Sequence, residues 1–265
     1  MKREPLLMPF DLPPPNDQRT LGLLFSGGLD SAILLGQMLA KGWRVRPFYI
    51  RSGLLWQRAE ERAAGRFLEA LACPGLEPLV TLSLPLADVY QNHWSVTGLG
   101  VPDAATPDEA VYLPGRNPLL VIKAALWCRL NGIDELALAP LNSNPFADAT
   151  PEFFAEFQSA LNRATLGDVR LVRPFSELSK CEVMELGRGY PLELTFSCIK
   201  PAGALHCGTC NKCHERREAF RLLGAGDPTA YAGRPDAALA LDRRRPARQA
   251  APPAEATICR FPSPR

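Results

Sequence analysis

The chain reads as an α/β protein: a parallel sheet with helices on both faces, followed by a small cysteine-rich knuckle. Three observations point there. Short apolar runs alternate with segments of helical period from Leu21 to Gly189, and strands joined through helices pair in parallel with both faces covered. The first apolar run passes into a helix through Ser26-Gly27-Gly28-Leu29-Asp30-Ser31. After the last helix of the series, Cys198, Cys207, Cys210 and Cys213 fall at the spacing C-x8-C-x2-C-x2-C. The expected organisation is a lead-in over 1–20, the α/β domain over 21–194, the knuckle and a closing helix over 195–232, and a disordered tail over 233–265.

Taken in order, each element has a local cause. Pro13, Pro14 and Pro15 keep the opening segment out of the sheet, since proline cannot donate to a ladder. Leu21 to Phe25 is a short buried strand, and from Ala32 the residues Leu34, Leu35, Met38 and Leu39 lie on one helical face. Arg44 to Ile50 is a second strand despite Pro47. Trp56, Ala59, Ala63, Phe67 and Leu71 recur at helical spacing, which predicts an amphipathic helix over 55–71 with Trp56 in the core. A third strand covers 79–84. Residues 85–112, with His93 and Trp94, have no period and read equally as an active-site excursion or a surface loop.

Regularity returns at Asn117-Pro118, an expected N-cap and first helical turn, and the helix ends at Asn131-Gly132. A strand over 135–139, a polar loop over 140–151, a helix over 152–164 and a strand over 169–175 follow. Ser179-Lys-Cys-Glu182 matches a capping box for a helix reaching Leu186. Glu215 to Leu223 is the closing helix, stopped by Gly224.

Composition bounds the function. Of 265 residues, 46% are hydrophobic, enough to fill a core, yet no apolar run approaches the roughly 18 residues that a membrane span needs. The first twenty residues lack the apolar stretch of a secretion signal, so a cytoplasmic protein is expected. There, cysteines serve as metal ligands or reduced thiols, not disulfides. The net charge of +2 is concentrated in the tail, where seven arginines face three acids after Gly233. The nearly neutral body argues against a dedicated nucleic-acid binder.

The turn after the first strand carries the chemistry. Paired glycines let the main chain approach a phosphate, hydroxyls at Ser26 and Ser31 add donors, and a helix N-terminus is positive. Asp30 either holds Mg2+ against the phosphates or orients the loop. The run Phe25-Ser26-Gly27-Gly28-Leu29-Asp30-Ser31 resembles the PP-loop of the ATP pyrophosphatase superfamily, whose members cleave ATP between the α and β phosphates. It lacks the Gly-Lys-Ser/Thr ending of the Walker loop, which disfavours γ-phosphoryl transfer.

Four thiolates at the observed spacing suit a closed tetrahedral Zn2+ site, structural because no coordination position stays open. An iron–sulfur cluster uses the same number of cysteines. His206 and His214 flank the set and can each stand in for a thiolate. Cys73, Cys128, Cys181 and Cys259 are scattered singly and carry no motif.

Together the PP-loop and this cysteine pattern resemble the 7-cyano-7-deazaguanine synthase (QueC) family over residues 21–232. Leu113-Pro-Gly-Arg-Asn117 is similar to the family's Val-Pro-Gly-Arg-Asn, Ser179-Lys-Cys-Glu-Val183 to Thr-Lys-Ala-Glu-Ile, and Thr195-Phe-Ser-Cys198 to Thr-Trp-Ser-Cys. Cys207-Gly-Thr-Cys-Asn-Lys-Cys213 leads into a helix much as in the family. The resemblance implies ATP with Mg2+, 7-carboxy-7-deazaguanine and ammonia as reactants, an acyl adenylate, an amide and finally a nitrile. It marks Asp30, Arg116 and Lys180 as catalytic, the two cations steadying phosphates or departing pyrophosphate.

Two segments depart from the family pattern. Asn144-Pro-Phe-Ala-Asp148-Ala-Thr150 replaces Gly-Tyr-Pro-Asp-Cys, with Asp148 keeping the acid expected beside substrate. Tyr49 to Gln57 replaces Tyr-Gly-Gln-x-His. A PP-loop ligase that activates a different carboxylate or carbonyl, on a small molecule, protein or tRNA, is the alternative. Partners are therefore small molecules, with no membrane; a homodimer is left open.

Overall fold

The computed structural model describes residues 19–233, which fall within a single compact unit. Most of the expected lead-in and tail, and Cys259, lie outside the described residues. The strands are β1 (Thr20–Leu24), β2 (Arg44–Arg51), β3 (Val80–Ser83), β4 (Glu135–Ala137) and β5 (Arg170–Val172). They form one sheet in the order β3-β2-β1-β4-β5, every pair parallel. The chain winds outward from β1 to β3, then crosses to build β4 and β5 on the other side. That reversal places a crevice beyond the carboxyl ends of β1 and β4.

Helices cover both faces: α1 (Leu29–Ala40), α2 (Gln57–Ala70), α3 (Ala87–Tyr90), α4 (Trp94–Thr97), α5 (Arg116–Leu130), α6 (Pro151–Thr165), α7 (Lys180–Leu186) and α8 (Asn211–Leu222). Alternation along β1 sends Leu21, Leu23 and Phe25 into a core shared with α1, α7 and α8. On the opposite face, Phe48, Leu136 and Leu138 pack against Val121, Ala124 and Cys128 of α5 and Phe154 and Leu161 of α6. Gly22 is needed there, because a Cβ would stand 2.9 Å from Cys128 Sγ. The lone Cys128 is thus a small buried packing group.

Several boundaries differ from expectation, each for a physical reason. Helix α1 begins at Leu29, not Ala32, so Asp30 and Ser31 belong to its first turn. Asn117 is not the cap of α5: Gly115 holds that place in the left-handed region (φ 73°), and the cap is supplied from a distance by Asp148. Strand β5 stops at Val172, ahead of Pro174, whose missing N–H ends the ladder. Helix α8 starts four residues before Glu215, with Cys210 as its N-cap. The capping box of α7 forms as its residues require, with Ser179 and Glu182 exchanging hydrogen bonds.

The aperiodic segment 85–112 holds α3, α4 and a 3-10 turn at Asp108–Val111. It is fastened to the cysteine segment: Asn211 Nδ2 donates to Thr106 O at 2.9 Å and Asp108 Oδ1 at 3.1 Å. A third core lies beneath this junction, where Trp56, Val111 and Leu113 meet Phe196, Cys198 and Cys213.

Candidate active site

A cavity of about 370 Å3 opens at the carboxyl ends of the strands, above the turn that follows β1. That volume suits a small-molecule site. The turn folds as its glycines dictate: Gly27 has φ +76°, and its Cα side packs against Ala64 of α2. Ser26 Oγ accepts from Gly28 N–H at 3.3 Å and lies 3.2 Å from Ser31 Oγ. Gly28 is an N-cap without a side-chain cap, and the N–H groups of Leu29, Asp30 and Ser31 find no acceptor among the described residues. Three unpaired donors at a helix N-terminus form an anion cradle.

Asp30 and Lys180, 150 positions apart, meet at this cradle. Lys180 Nζ donates to both carboxylate oxygens of Asp30, at 2.8 and 2.9 Å, and lies 3.4 Å from Glu215 Oε1. Burial opposes the Lys180 charge, but Asp30 and Glu215 outweigh it and hold the pKa above the ordinary lysine value. Lys180 is therefore a permanent cation at neutral pH. Two carboxylate oxygens offer four lone-pair sites, so Asp30 retains capacity for a cation beside Lys180.

Arg116 opens α5 on another wall of the cavity, and its Nε is enclosed with no hydrogen-bond partner among the described residues. An enclosed guanidinium nitrogen without a hydrogen-bond partner is costly unless an anion completes it. Asp148 also lines the cavity, but both its oxygens are used: Oδ2 accepts Asn117 N–H at 3.2 Å and Oδ1 accepts Asn117 Nδ2 at 2.9 Å. Its carboxylate satisfies the N-terminus of α5 and so fixes Arg116 next door. Burial raises the Asp148 pKa despite the opposing bonds from Asn117.

The four cysteines converge behind this wall, with all sulfurs within 4.8 Å of one another. Cys198 Sγ lies 3.9 Å from Cys210 Sγ, and Cys207 Sγ 3.8 Å from Cys213 Sγ. A tetrahedral ion with metal–sulfur bonds of about 2.3 Å has sulfur–sulfur edges of about 3.8 Å, so the set fits a four-thiolate metal centre. Backbone N–H groups of Lys200 and Cys207 point at Cys198 Sγ, those of Thr209 and Cys210 at Cys207 Sγ, as thiolates require. His206 is outside the set: its Nε2 accepts Ser197 N–H at 3.1 Å, and burial, aided by Arg216, pushes its pKa down to about 3.

A family model described as "Queuosine biosynthesis protein QueC" matches residues 21–224. The chain belongs to the QueC family. Among its relatives, the 7-cyano-7-deazaguanine synthase of Desulfotalea psychrophila is 31% identical over 216 residues, covering 79% of this chain and 97% of the relative. That of Brucella canis is 32% identical over 226 residues, covering 79% and 92%. Among solved structures, a 4-thiouridine synthetase–RNA complex with bound ATP aligns at 18% identity and a TM-score of 0.44, over 85% of this chain and 50% of that one.

For this QueC member, sequence reasoning missed Glu60 and Arg216. Arg216, within a run of charged residues on α8, is only 1% exposed. It donates to Leu192 O and Thr195 Oγ1 at 2.8 Å each and to Thr229 Oγ1 at 2.6 Å, binding α8 to the segments on either side. Glu60 faces the cavity, where its Oε2 accepts the Tyr49 hydroxyl at 2.8 Å. Burial pushes its carboxyl up to about 7, against smaller opposing effects from Arg116 and the Tyr49 bond. Nothing in the period of α2 marks it, since partners come from β2 and α5.

That shift has a sign for stability. The ordinary carboxyl value is 4.5, so the neutral form's contribution is whole below that pH and is lost as the pH rises through about 7. The wild-type Tm is expected to fall by roughly 5 °C more than that of Glu60→Gln across this window. Thermal melts of both proteins in matched buffers measure the difference; parallel curves would remove the Glu60 contribution.

Proposed function

We propose that the chain converts 7-carboxy-7-deazaguanine and ammonia to 7-cyano-7-deazaguanine with ATP, by way of an acyl adenylate, as a cytoplasmic ligase. The observation that carries this reading is the convergence of three anion-directed features on one cavity: the unpaired N–H groups of α1, the Lys180 ammonium and the Arg116 guanidinium, whose enclosed Nε has no hydrogen-bond partner among the described residues. The names borne by the QueC relatives give the product, 7-cyano-7-deazaguanine, and the motif resemblance implies the 7-carboxy compound as its precursor.

In this reading Ser26 to Ser31 hold the phosphates, with Phe25 and Leu29 shaping the turn. The substrate carboxylate attacks the α-phosphorus, and pyrophosphate leaves toward Lys180. Ammonia then attacks the acyl carbon, AMP departs, and an amide results. The amide oxygen then attacks the α-phosphorus of a second ATP, a second pyrophosphate leaves, and loss of AMP with two N–H protons gives the nitrile. Mg2+ accompanying ATP would supply charge neutralisation on the phosphate oxygens, and Asp30 is the residue that would hold it. Arg116, fixed by Asp148 and Asn117, orients the anionic reactant. No nucleophilic side chain is needed, because the work is positioning and charge stabilisation.

The metal of the cysteine centre is proposed to be Zn2+, with a structural role, since four thiolates leave no open position. The test is product analysis with a panel of carboxylates. 7-Carboxy-7-deazaguanine is expected to stimulate AMP and pyrophosphate release and to yield a product carrying a nitrile. Stimulation by another acid alone would replace this substrate while leaving adenylation in place.

A further inference from the structure

Glu60 is a cavity-facing acid that the proposed chemistry leaves unused and that pairs with no cation through a salt bridge among the described residues. Tyr49 holds its Oε2, while Oε1 takes no hydrogen bond among the described residues. The Tyr49 hydroxyl is itself fixed, lying 3.2 Å from Gln57 O at the start of α2. One turn before Glu60, Trp56 lines the same cavity and stacks on Trp94, with ring centroids 5.9 Å apart and planes 25° from parallel. An oriented acceptor beside aromatic faces is the equipment for binding a flat heterocycle by a donor edge. A bare ammonium ion would need the acceptor but not the aromatic wall.

Resting on the function proposed above, we infer that Glu60 receives the ring N–H and exocyclic amine of the substrate's 2-amino-4-oxopyrimidine edge, with Trp56 and Trp94 beside the ring. A carboxylate presents two oxygens side by side, matching two adjacent N–H donors, and each oxygen has a lone pair to spare for Tyr49. Burial raises the Glu60 pKa to about 7 and Arg116 opposes that rise; the two N–H donors of this edge favour the ionised, acceptor-only form on binding. The same carboxyl in its neutral form would suit adenine, which offers one donor beside one acceptor.

The test is equilibrium binding to the full-length protein of 7-carboxy-7-deazaguanine, its analogue lacking the exocyclic amine, and ATP. Wild-type protein is expected to prefer the amine by about tenfold or more. Glu60→Gln, which puts a donor opposite a donor, is expected to lose that preference while binding ATP within about twofold of wild type, which also shows that it is folded. Glu60→Asp is expected to restore part of the preference, as a merely structural role would not. The inference is overturned if Glu60→Gln keeps the preference, if ATP affinity falls equally, or if only the KM for ammonia changes. In those cases the proposed function stands. Wild-type protein that binds ATP but neither deazapurine would remove both.

Discussion

Removal of the metal from the four-cysteine centre, or Cys198→Ser, is expected to lower the Tm by more than about 10 °C and to abolish ATP binding. The reason is the position of α8. Its N-cap is Cys210 and its first turn contains Cys213, so the ion would close the start of the helix. The same helix carries Lys212 and Glu215, which line the cavity, and Glu215 stands beside Lys180. It also carries Arg216, whose hydrogen bonds hold the 192–197 segment against it. Phe196 N–H in turn donates to Gly27 O at 2.8 Å, within the glycine turn itself. Loosening the cysteines therefore loosens the cradle. Metal analysis, calorimetry and ATP titration before and after chelation measure these effects; an apo-protein with unchanged Tm and ATP affinity would contradict the coupling.

Lys180→Gln is expected to reduce turnover about a thousandfold while leaving the protein folded. Lys180 is the cation seated at the α1 N-terminus, and the carboxylates of Asp30 and Glu215, outweighing the opposing effect of burial, keep it charged and fixed in place. Such an oriented charge stabilises developing negative charge without reorganisation when the reaction occurs. Its loss leaves two carboxylates facing each other, which should cost a few degrees in Tm, partly relieved in Lys180→Gln/Glu215→Gln. Lys180→Arg preserves the charge but not the compact ammonium, and is expected to recover only part of the rate. Initial rates with saturating ATP, alongside thermal melts, check both. Full activity in Lys180→Gln would remove Lys180 from catalysis.

Legibility in the sequence followed the range of the interactions. The β1–turn–α1 unit is local: apolar run, glycines and helix follow one another within twenty residues, so its strand–turn–helix form is legible at once. The cysteine spacing was equally local, and its sulfurs do converge. The capping box of α7 placed Lys180 at a helix start, but nothing local told that its ammonium would reach Asp30. Asp148 was read as an acid beside substrate; its capping of α5 spans 31 positions and depended on how an irregular loop returned. Arg216 and Glu60 look like solvated charges on amphipathic helices. Only the packing of α8 against 192–197, and of α2 against β2, turned them inward.

The identity of the phosphorus attacked tests the whole account most directly. Incubation of the purified protein with ATP, Mg2+, ammonia and 7-carboxy-7-deazaguanine, with nucleotides resolved by chromatography, is expected to give AMP and pyrophosphate in step with a nitrile product. ADP and orthophosphate in their place would mean that the serine–glycine cradle presents the γ-phosphorus, and adenylation would be wrong.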